Sequence, residues 1–387
     1  MDFDLSQEQE MVQRGAREIA ADYDMEYWRE KDEAGEFPQE LWDDLAEAGY
    51  FGLTVPRDYG GEGLGMTEVA AVGLAVGRQG GGVSGANLLT LGPTFGGISV
   101  LELGTDDQKE RWLPGIADGD LVALGLTEPD AGLDTAGMKA TAERDGDEYV
   151  LNGTKIWTTG AHVSDYIVTL ARTSPMGDGE RHEGISLFFV PTDSDGLSIS
   201  KIPKLSMRCL GSCEVVYDDV RVPAENLLGQ EGRGFYHVLG TLNTERIIWS
   251  AVPLAAGYLA LDLAVDYAKE RESFDRPIGM NQGIQFPLAQ SKVDLETAKL
   301  MMYKAAALYD AGEDCAMEAN AASIASANAG FDACDRAIQT HGGMGFANEY
   351  HVERLYRDVR LAKVAPVSNE LALSYLGEHV LGLPRSY

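Results

Sequence analysis

The spacing of apolar positions changes twice along this chain and divides it into three parts. Up to about residue 118 the pattern is helical and punctuated by capping signals. Ser6 with Gln9, Pro38 at a first-turn position ahead of Leu41, Trp42 and Leu45, and Thr105 with Gln108 mark starts; Gly49 and Pro114 mark stops. From about 120 to 228 the texture becomes short β-branched or aromatic runs: Tyr149 to Leu151, Ile167 to Ala171, Ile185 to Val190 and Cys213 to Tyr217. Asn152-Gly153 falls between two runs and predicts a hairpin turn, so this part reads as an antiparallel β domain. From about 232 the helical period returns. Leu295, Ala298, Met302, Ala305 and Tyr309 form one stripe, a packing face ended by Gly312. The pattern predicts α, then β, then an α bundle, as domains 1–118, 119–228 and 229–387, without internal repeats.

Within the last part, Glu245 interrupts an apolar helical face. Its neighbours at helical spacing are Thr241, Leu242, Ile248 and Trp249, surroundings that raise a carboxyl pKa toward neutrality. That suits a general base working near pH 7. Read alone, the same residue is also what a solvated helical Glu looks like, because Glu is a good helix former.

Charge narrows the partners. The 387 residues carry 62 acidic and 31 basic side chains, a formal charge of −31, so nucleic acid and anionic membranes would be repelled. Few of the cations are Lys, and the acids are spread along the chain, a pattern shared with halophilic proteins of salt-loaded cytoplasms; an ordinary acidic protein is the alternative. The four cysteines lack a Cys-x-x-Cys pair and the six His are scattered, so neither a disulfide framework nor a metal site is expected. The N-terminus opens with Asp2 and Asp4, and the most apolar stretch, near Val252 to Val265, contains Asp262 and reads as too short to span a membrane. A soluble cytoplasmic protein is the expectation. Gly229-x-x-Gly232-x-Gly234 and Gly342-Gly343-x-Gly345 lack the strand-turn-helix context of a Rossmann fingerprint.

Five motifs lie in order on this plan: Leu126 to Asp134 (LTEPDAGLD), Asn152 to Gly160 (NGTKIWTTG), Val222 to Gly229 (VPAENLLG), Glu270 to Phe274 with Gln282, and Gln339 to Phe346 (QTHGGMGF). Together they resemble the acyl-CoA dehydrogenase family over essentially the whole chain. The fold then expected is multidomain α+β: an N-terminal helical domain, a middle antiparallel β-barrel domain and a C-terminal four-helix bundle. The resemblance implies FAD at a dimer face inside a homotetramer, an acyl-CoA thioester between the β domain and the bundle, and electron transfer to an electron-transferring flavoprotein. It also implies that Trp157 lies against the flavin ring and that Thr127 and Thr159 bond its edge. Arg271, Phe274, Gln282, Gln339, Gly342 and Gly343 would hold the adenine and pyrophosphate, much of it from a neighbouring subunit, and Arg246 would contact CoA. These residue types suit the task, since a guanidinium and closely approaching glycine backbone are what a diphosphate requires.

Two departures from the family matter. Leu133 stands where Ser is common, removing one hydroxyl contact. Many members carry the catalytic Glu in a Tyr-Glu-Gly-Thr segment after an Arg-Asp pair; here Arg357-Asp358 leads to Ala365-Pro366-Val367-Ser368, and Pro366 occupies that place without a backbone N–H. A smaller set, including isovaleryl-CoA and long-chain dehydrogenases, places the base on the bundle helix just before an Arg, where Glu245 and Arg246 stand. Glu245 is therefore the preferred base and Glu370 the reserve. The expected reaction is α,β-desaturation of an acyl-CoA. The alternatives are an enoyl-CoA reductase, since the chain also resembles crotonobetainyl-CoA reductase in its helix Glu-Arg pair and Ser-x-Glu segment, and a catalytically silent acyl-CoA-binding member.

Overall fold

A computed structural model describes residues 4–176 and 181–385. The N-terminal part folds as α1 (Gln7–Ala20), α2 (Met25–Ala34), α3 (Gln39–Glu47), α4 (Met66–Val76), two short helices α5 (Gly82–Ala86) and α6 (Ser99–Leu103), and α7 (Asp106–Asp118). Capping boxes at Ser6/Gln9 and Thr105/Gln108 begin α1 and α7. Pro38 is the residue before α3 rather than its first turn. Pro114 does not end α7. It sits inside the helix, where it forfeits one hydrogen bond, and the left-handed Gly119 makes the stop.

The middle part contains β1 (Val122–Gly125), β2 (Thr141–Asp145), β3 (Glu148–Thr159), β4 (Tyr166–Arg172), β5 (Ile185–Pro191), β6 (Leu197–Lys201), β7 (Ser212–Pro223) and β8 (Leu227–Leu228). They form one sheet in the order β6-β7-β3-β2-β4-β5-β8, with β1 beside β4. The expected barrel does not close. β2 and β4 share a single pair, Thr141 with Arg172, so the two halves diverge there, and β8 is too short to continue the sheet. Nor is the sheet purely antiparallel, because β1 and β2 both run parallel to β4. Alternate residues of β4 and β5 enter two cores. Val168, Leu170, Leu187 and Phe189 pack with Trp112 and Ile116 of α7, whereas Ile167, Phe188 and Val190 face Tyr149, Val215 and Val222. Coverage of both faces explains runs that are apolar without alternation.

Asn152-Gly153 is not a turn. It lies within β3 at a register shift against β7, and the Asn152 side chain bonds both the backbone N–H and the carboxylate of Asp219. The β2–β3 turn falls earlier, at Gly146, whose φ is +66°.

The C-terminal part has α8 (Gly234–Glu270), a two-strand hairpin of β9 (Glu272–Ser273) and β10 (Arg276–Pro277), α9 (Gln282–Asp310), α10 (Ala316–His341), α11 (Val352–Val359) and α12 (Asn369–Tyr375). Among the described residues three helices of this part, α8, α9 and α10, are long, and α11 and α12 are short. Leu295, Ala298, Met302 and Ala305 are buried on one face of α9. A Cβ on Gly330 of α10 would lie 2.3 Å from the Pro253 carbonyl oxygen of α8, so only glycine permits this spacing. Asn243–Glu270 is longer as an apolar helix than the sequence reading allowed, long enough by length and composition to cross a membrane. It is mostly buried inside the molecule, as the core helix on which α4, α9 and α10 pack.

Two polar clamps fix the parts against one another. Asp310, at the end of α9, accepts from the Met66 and Thr67 N–H groups and caps α4 at 2.7 and 3.0 Å. On α11, Arg354 donates to the carbonyls of Gly80 and Gly81, Arg357 bridges to Asp32, and Asp358 accepts from Met207 N–H at 2.8 Å. Burial, then the nearby Asp32, push Asp358 up to about 6.

Candidate active site

Glu245 sits in the first half of α8 and is 4% exposed, beside the fully buried Thr244, Ile247 and Ile248 and the buried Trp249. The Leu242 side chain lies outside the described residues. The Asn87–Thr90 and Pro93–Ile98 turns of the N-terminal part pack against α8. One carboxylate oxygen, Oε2, is buried without a hydrogen-bond partner. Burial pushes the Glu245 pKa up to about 7, and the Arg246 charge restrains the rise. A carboxylate shielded in this way is both basic enough and free enough to take a proton at neutral pH. Arg246 turns to another side of the helix. Its guanidinium is half-buried, bonds Asn243 at 3.4 Å, leaves Nε unpaired, and feels the Tyr375 hydroxyl of α12. Glu370, by contrast, is exposed in the first turn of α12 behind the Ser368 cap, and Pro366 is exposed just ahead of it.

The second cluster lies at the end of β3. Here β3 carries one more residue than β7 between Lys155 and Thr158, and the bulge aims Trp157 outward with φ +61° and 53% of its surface exposed. A left-handed Trp costs about 1–2 kcal/mol and leaves a large aromatic face toward solvent, a combination found where a ligand supplies the missing contact. Thr158 is buried with an unpaired hydroxyl, and Thr159 meets Ser212 at 3.1 Å. Thr127 is tied alongside through its carbonyl, which accepts from Ile156 N–H at 2.9 Å.

Beneath this surface is a pair that sequence reading passed over. Lys155, fully buried, bonds the Glu128 carboxylate at 2.8 Å and the Leu126 carbonyl at 3.3 Å; Glu128 also accepts from the Lys139 and Ala140 N–H groups. Desolvation opposes the charge on Glu128, but Lys155 and the two amides hold its pKa below the usual range; burial pulls Lys155 below its own. The signal available beforehand was a Lys amid a strand with apolar neighbours.

The third cluster is remote from Glu245. Arg271 follows α8, roughly 39 Å along the axis from Glu245 at the helical rise per residue. Phe274 and Asp275 form a two-residue turn with positive φ at both positions, which leaves the Phe274 ring 96% exposed at the tip. Gln282 opens α9 and is exposed, as is Gln339 near the end of α10. Gly342 (φ +61°) and Gly343 have open space where a Cβ would stand, a bare backbone surface suited to a phosphate. The structure thus brings Thr127, Trp157 and Thr159 together and sets Arg271, Phe274, Gln282, Gln339, Gly342 and Gly343 around the end of α8 far from Glu245.

A shielded carboxylate on the core helix and an outward aromatic on a bulged strand, in an α–β–α chain, suit an enzyme that moves protons beside a flat aromatic ligand. Comparison with known proteins specifies it. The acyl-CoA dehydrogenase N-terminal, middle and C-terminal domain models match residues 6–120, 123–220 and 232–381. The acyl-CoA dehydrogenase fadE12 of Mycobacterium bovis is 39% identical over all of this chain and 99% of its own. The caffeyl-CoA reductase–Etf complex subunit CarC of Acetobacterium woodii is 37% identical, covering 92% of this chain and 94% of its own. The butyryl-CoA dehydrogenase structure from Megasphaera elsdenii superposes with a TM-score of 0.94 at 30% identity, covering 98% and 100% of the two chains. The chain belongs to the acyl-CoA dehydrogenase family. It is an FAD-dependent oxidoreductase acting on CH–CH groups of acyl-CoA thioesters.

Proposed function

We propose that this enzyme desaturates an acyl-CoA between Cα and Cβ, with Glu245 as the base. The observation that carries the reading is the buried, unpaired Glu245 oxygen on a carboxyl whose pKa is lifted to about 7. Glu245 takes the α proton, and its apolar walls exclude the water that would otherwise return it. FAD, when bound, supplies the acceptor for the hydride leaving Cβ. Trp157 would cover the flavin ring, and Thr127 and Thr159 would bond its edge. Arg246, always charged, holds the CoA side. Pro366 has no N–H to offer the thioester oxygen, so polarisation of that carbonyl would have to come from another donor. Electron-transferring flavoprotein takes the electrons onward, a reading supported by the Etf-complex relative.

The site is completed by a second copy of the chain. Arg271, Phe274, Gln282, Gln339, Gly342 and Gly343 gather about the end of α8 far from Glu245, and we assign them to the FAD of a neighbouring subunit. Phe286, Val293 and Leu300, 61%, 59% and 47% exposed at seven-residue spacing on α9, offer an apolar seam for such an assembly, which we read as a homotetramer.

A reductase running the same chemistry backward is the second reading, favoured by the caffeyl-CoA reductase relative and by a 35% identical 3-(aryl)acrylate reductase of Clostridium sporogenes. Anaerobic mixing with straight, branched, aryl and carnitine-derived acyl-CoA thioesters tests the proposal: at least one bleaches the flavin absorption of the yellow holoenzyme. If none does while the chemically reduced enzyme is reoxidised by an enoyl-CoA, the reductive reading replaces it.

The charge of −31 also carries a proposal, that the protein is halophilic and works in a cytoplasm rich in salt. Like charges then repel over a Debye length of about 30 Å at 0.01 M salt and about 3 Å at 1 M. The thermal midpoint should climb across that range, and a flat or falling midpoint would refute it.

A further inference from the structure

The loop between β6 and β7 lies outside the five sequence motifs, yet it sends a cation toward Thr159. Lys204 leaves this loop and donates from Nζ to Ser212 Oγ at 2.8 Å; Ser212 Oγ lies 3.1 Å from Thr159 Oγ1, its directly opposite residue in the β3–β7 ladder. The loop is held firmly from two sides. Met207 N–H donates to Asp358, Arg208 N–H to Asp32, and Lys201 to the Gly35 carbonyl.

The chemistry of the three groups gives the chain a direction. An ammonium group has donors and no acceptor, so Ser212 receives from Lys204. A hydroxyl that accepts from a cation turns its own hydrogen away, and Ser212 therefore donates to Thr159. The Thr159 hydrogen is in turn directed outward, and each link is polarised by the one before it. Burial pulls Lys204 down to about 8, with Cys209, Asp358, Cys213 and Asp32 opposing the fall, so it is mostly charged at pH 7. His162, near the same loop, is held at about 4 by burial and then by Lys201 and Lys204, and stays neutral.

We propose that Lys204 is a positioning residue for the flavin: through Ser212 it makes the Thr159 hydroxyl an outward donor and raises the electron affinity of the bound ring. This rests on the reading that Thr159 borders the flavin. The relay makes a loop remote from the binding motifs a determinant of redox poise, and it gives the Thr159 position a fixed donor sense that Thr alone does not have.

Holoenzymes carrying Lys204→Met, Lys204→Arg, Ser212→Ala and Thr159→Val are titrated anaerobically against a reducing dye of known potential. At the wild-type midpoint, Lys204→Met should lower the reduced-to-oxidised flavin ratio roughly tenfold, about 30 mV for a two-electron couple. Ser212→Ala should move it the same way by less, and Lys204→Arg, still a cationic donor, should stay within about threefold. Ser212→Ala removes one hydroxyl and decides the matter if Lys204→Met does not fold. A shift in Thr159→Val with none in Lys204→Met or Ser212→Ala overturns the relay. No shift and no change of flavin absorption in any variant, Thr159→Val included, removes Thr159 from the flavin and takes the site assignment down with it.

Discussion

Glu245→Gln is expected to slow flavin reduction by at least about 100-fold, the lower end for loss of general-base catalysis, while FAD and acyl-CoA still bind. Gln keeps the size and the helix but accepts no proton at neutral pH. Glu370→Gln should stay within a few-fold, because Glu370 is exposed and lacks the shielding that makes Glu245 basic. The wild-type rate should rise with pH through about 7 as Glu245 ionises, and this step should vanish in Glu245→Gln. Stability runs the opposite way. A carboxyl raised to about 7 by burial favours the folded state when protonated, so its contribution is complete below about pH 4.3 and is lost as pH rises through about 7. The loss is of order 3 kcal/mol, and Glu245→Gln should escape it, gaining stability over wild type above pH 7. Stopped-flow reduction and denaturation across pH 4 to 9 read both effects. Near-normal bleaching in Glu245→Gln with loss in Glu370→Gln would reverse the assignment.

Lys155→Met should destabilise the protein by about 3–5 kcal/mol, the cost of leaving a buried charge without its partner. Glu128 would keep its two backbone donors but lose the ammonium 2.8 Å away, and it is only 5% exposed. Adding Glu128→Gln should recover part of the loss, since a neutral amide still accepts from Lys139 or Ala140 N–H without carrying a charge. The loss extends to the site: Lys155 ties β3 to the segment that carries Thr127, so FAD affinity should fall with stability. Urea denaturation of the holoenzyme, with flavin release followed in parallel, measures both. A loss below about 1 kcal/mol would mean that water or a rearranged Glu128 replaces the ammonium.

The candidate base, the strand bulge and the helix ends were legible to different degrees for physical reasons. Glu245 was legible because helical period is local: residues three and four apart share a face, and its apolar neighbours foretold burial. The α–β–α order was legible from the change of period alone. Asn152-Gly153 misled because a turn signal describes only its own backbone; the Asp219 side chain, 67 residues away, instead claims Asn152 for a bulge inside a strand. Pro114 misled similarly, since a helix packed through Trp112, Leu113 and Ile116 tolerates one missing bond.

The sequence by itself determined where the helices and most strands lie, the motifs of the family, Pro366 where the resemblance places a Glu, and the candidate on α8. These depend on residue type and short spacing, both read directly from the chain. Only the tertiary structure decided that the sheet stays open, that Trp157 stands in a left-handed bulge, and that Lys155 pairs with Glu128. It alone joined Lys204 through Ser212 to Thr159, and it set Arg271 and Gly343 at the end of α8 far from Glu245. Each of these depends on contacts between segments distant in sequence, whose pairing is fixed by packing and desolvation over the whole molecule rather than by local pattern.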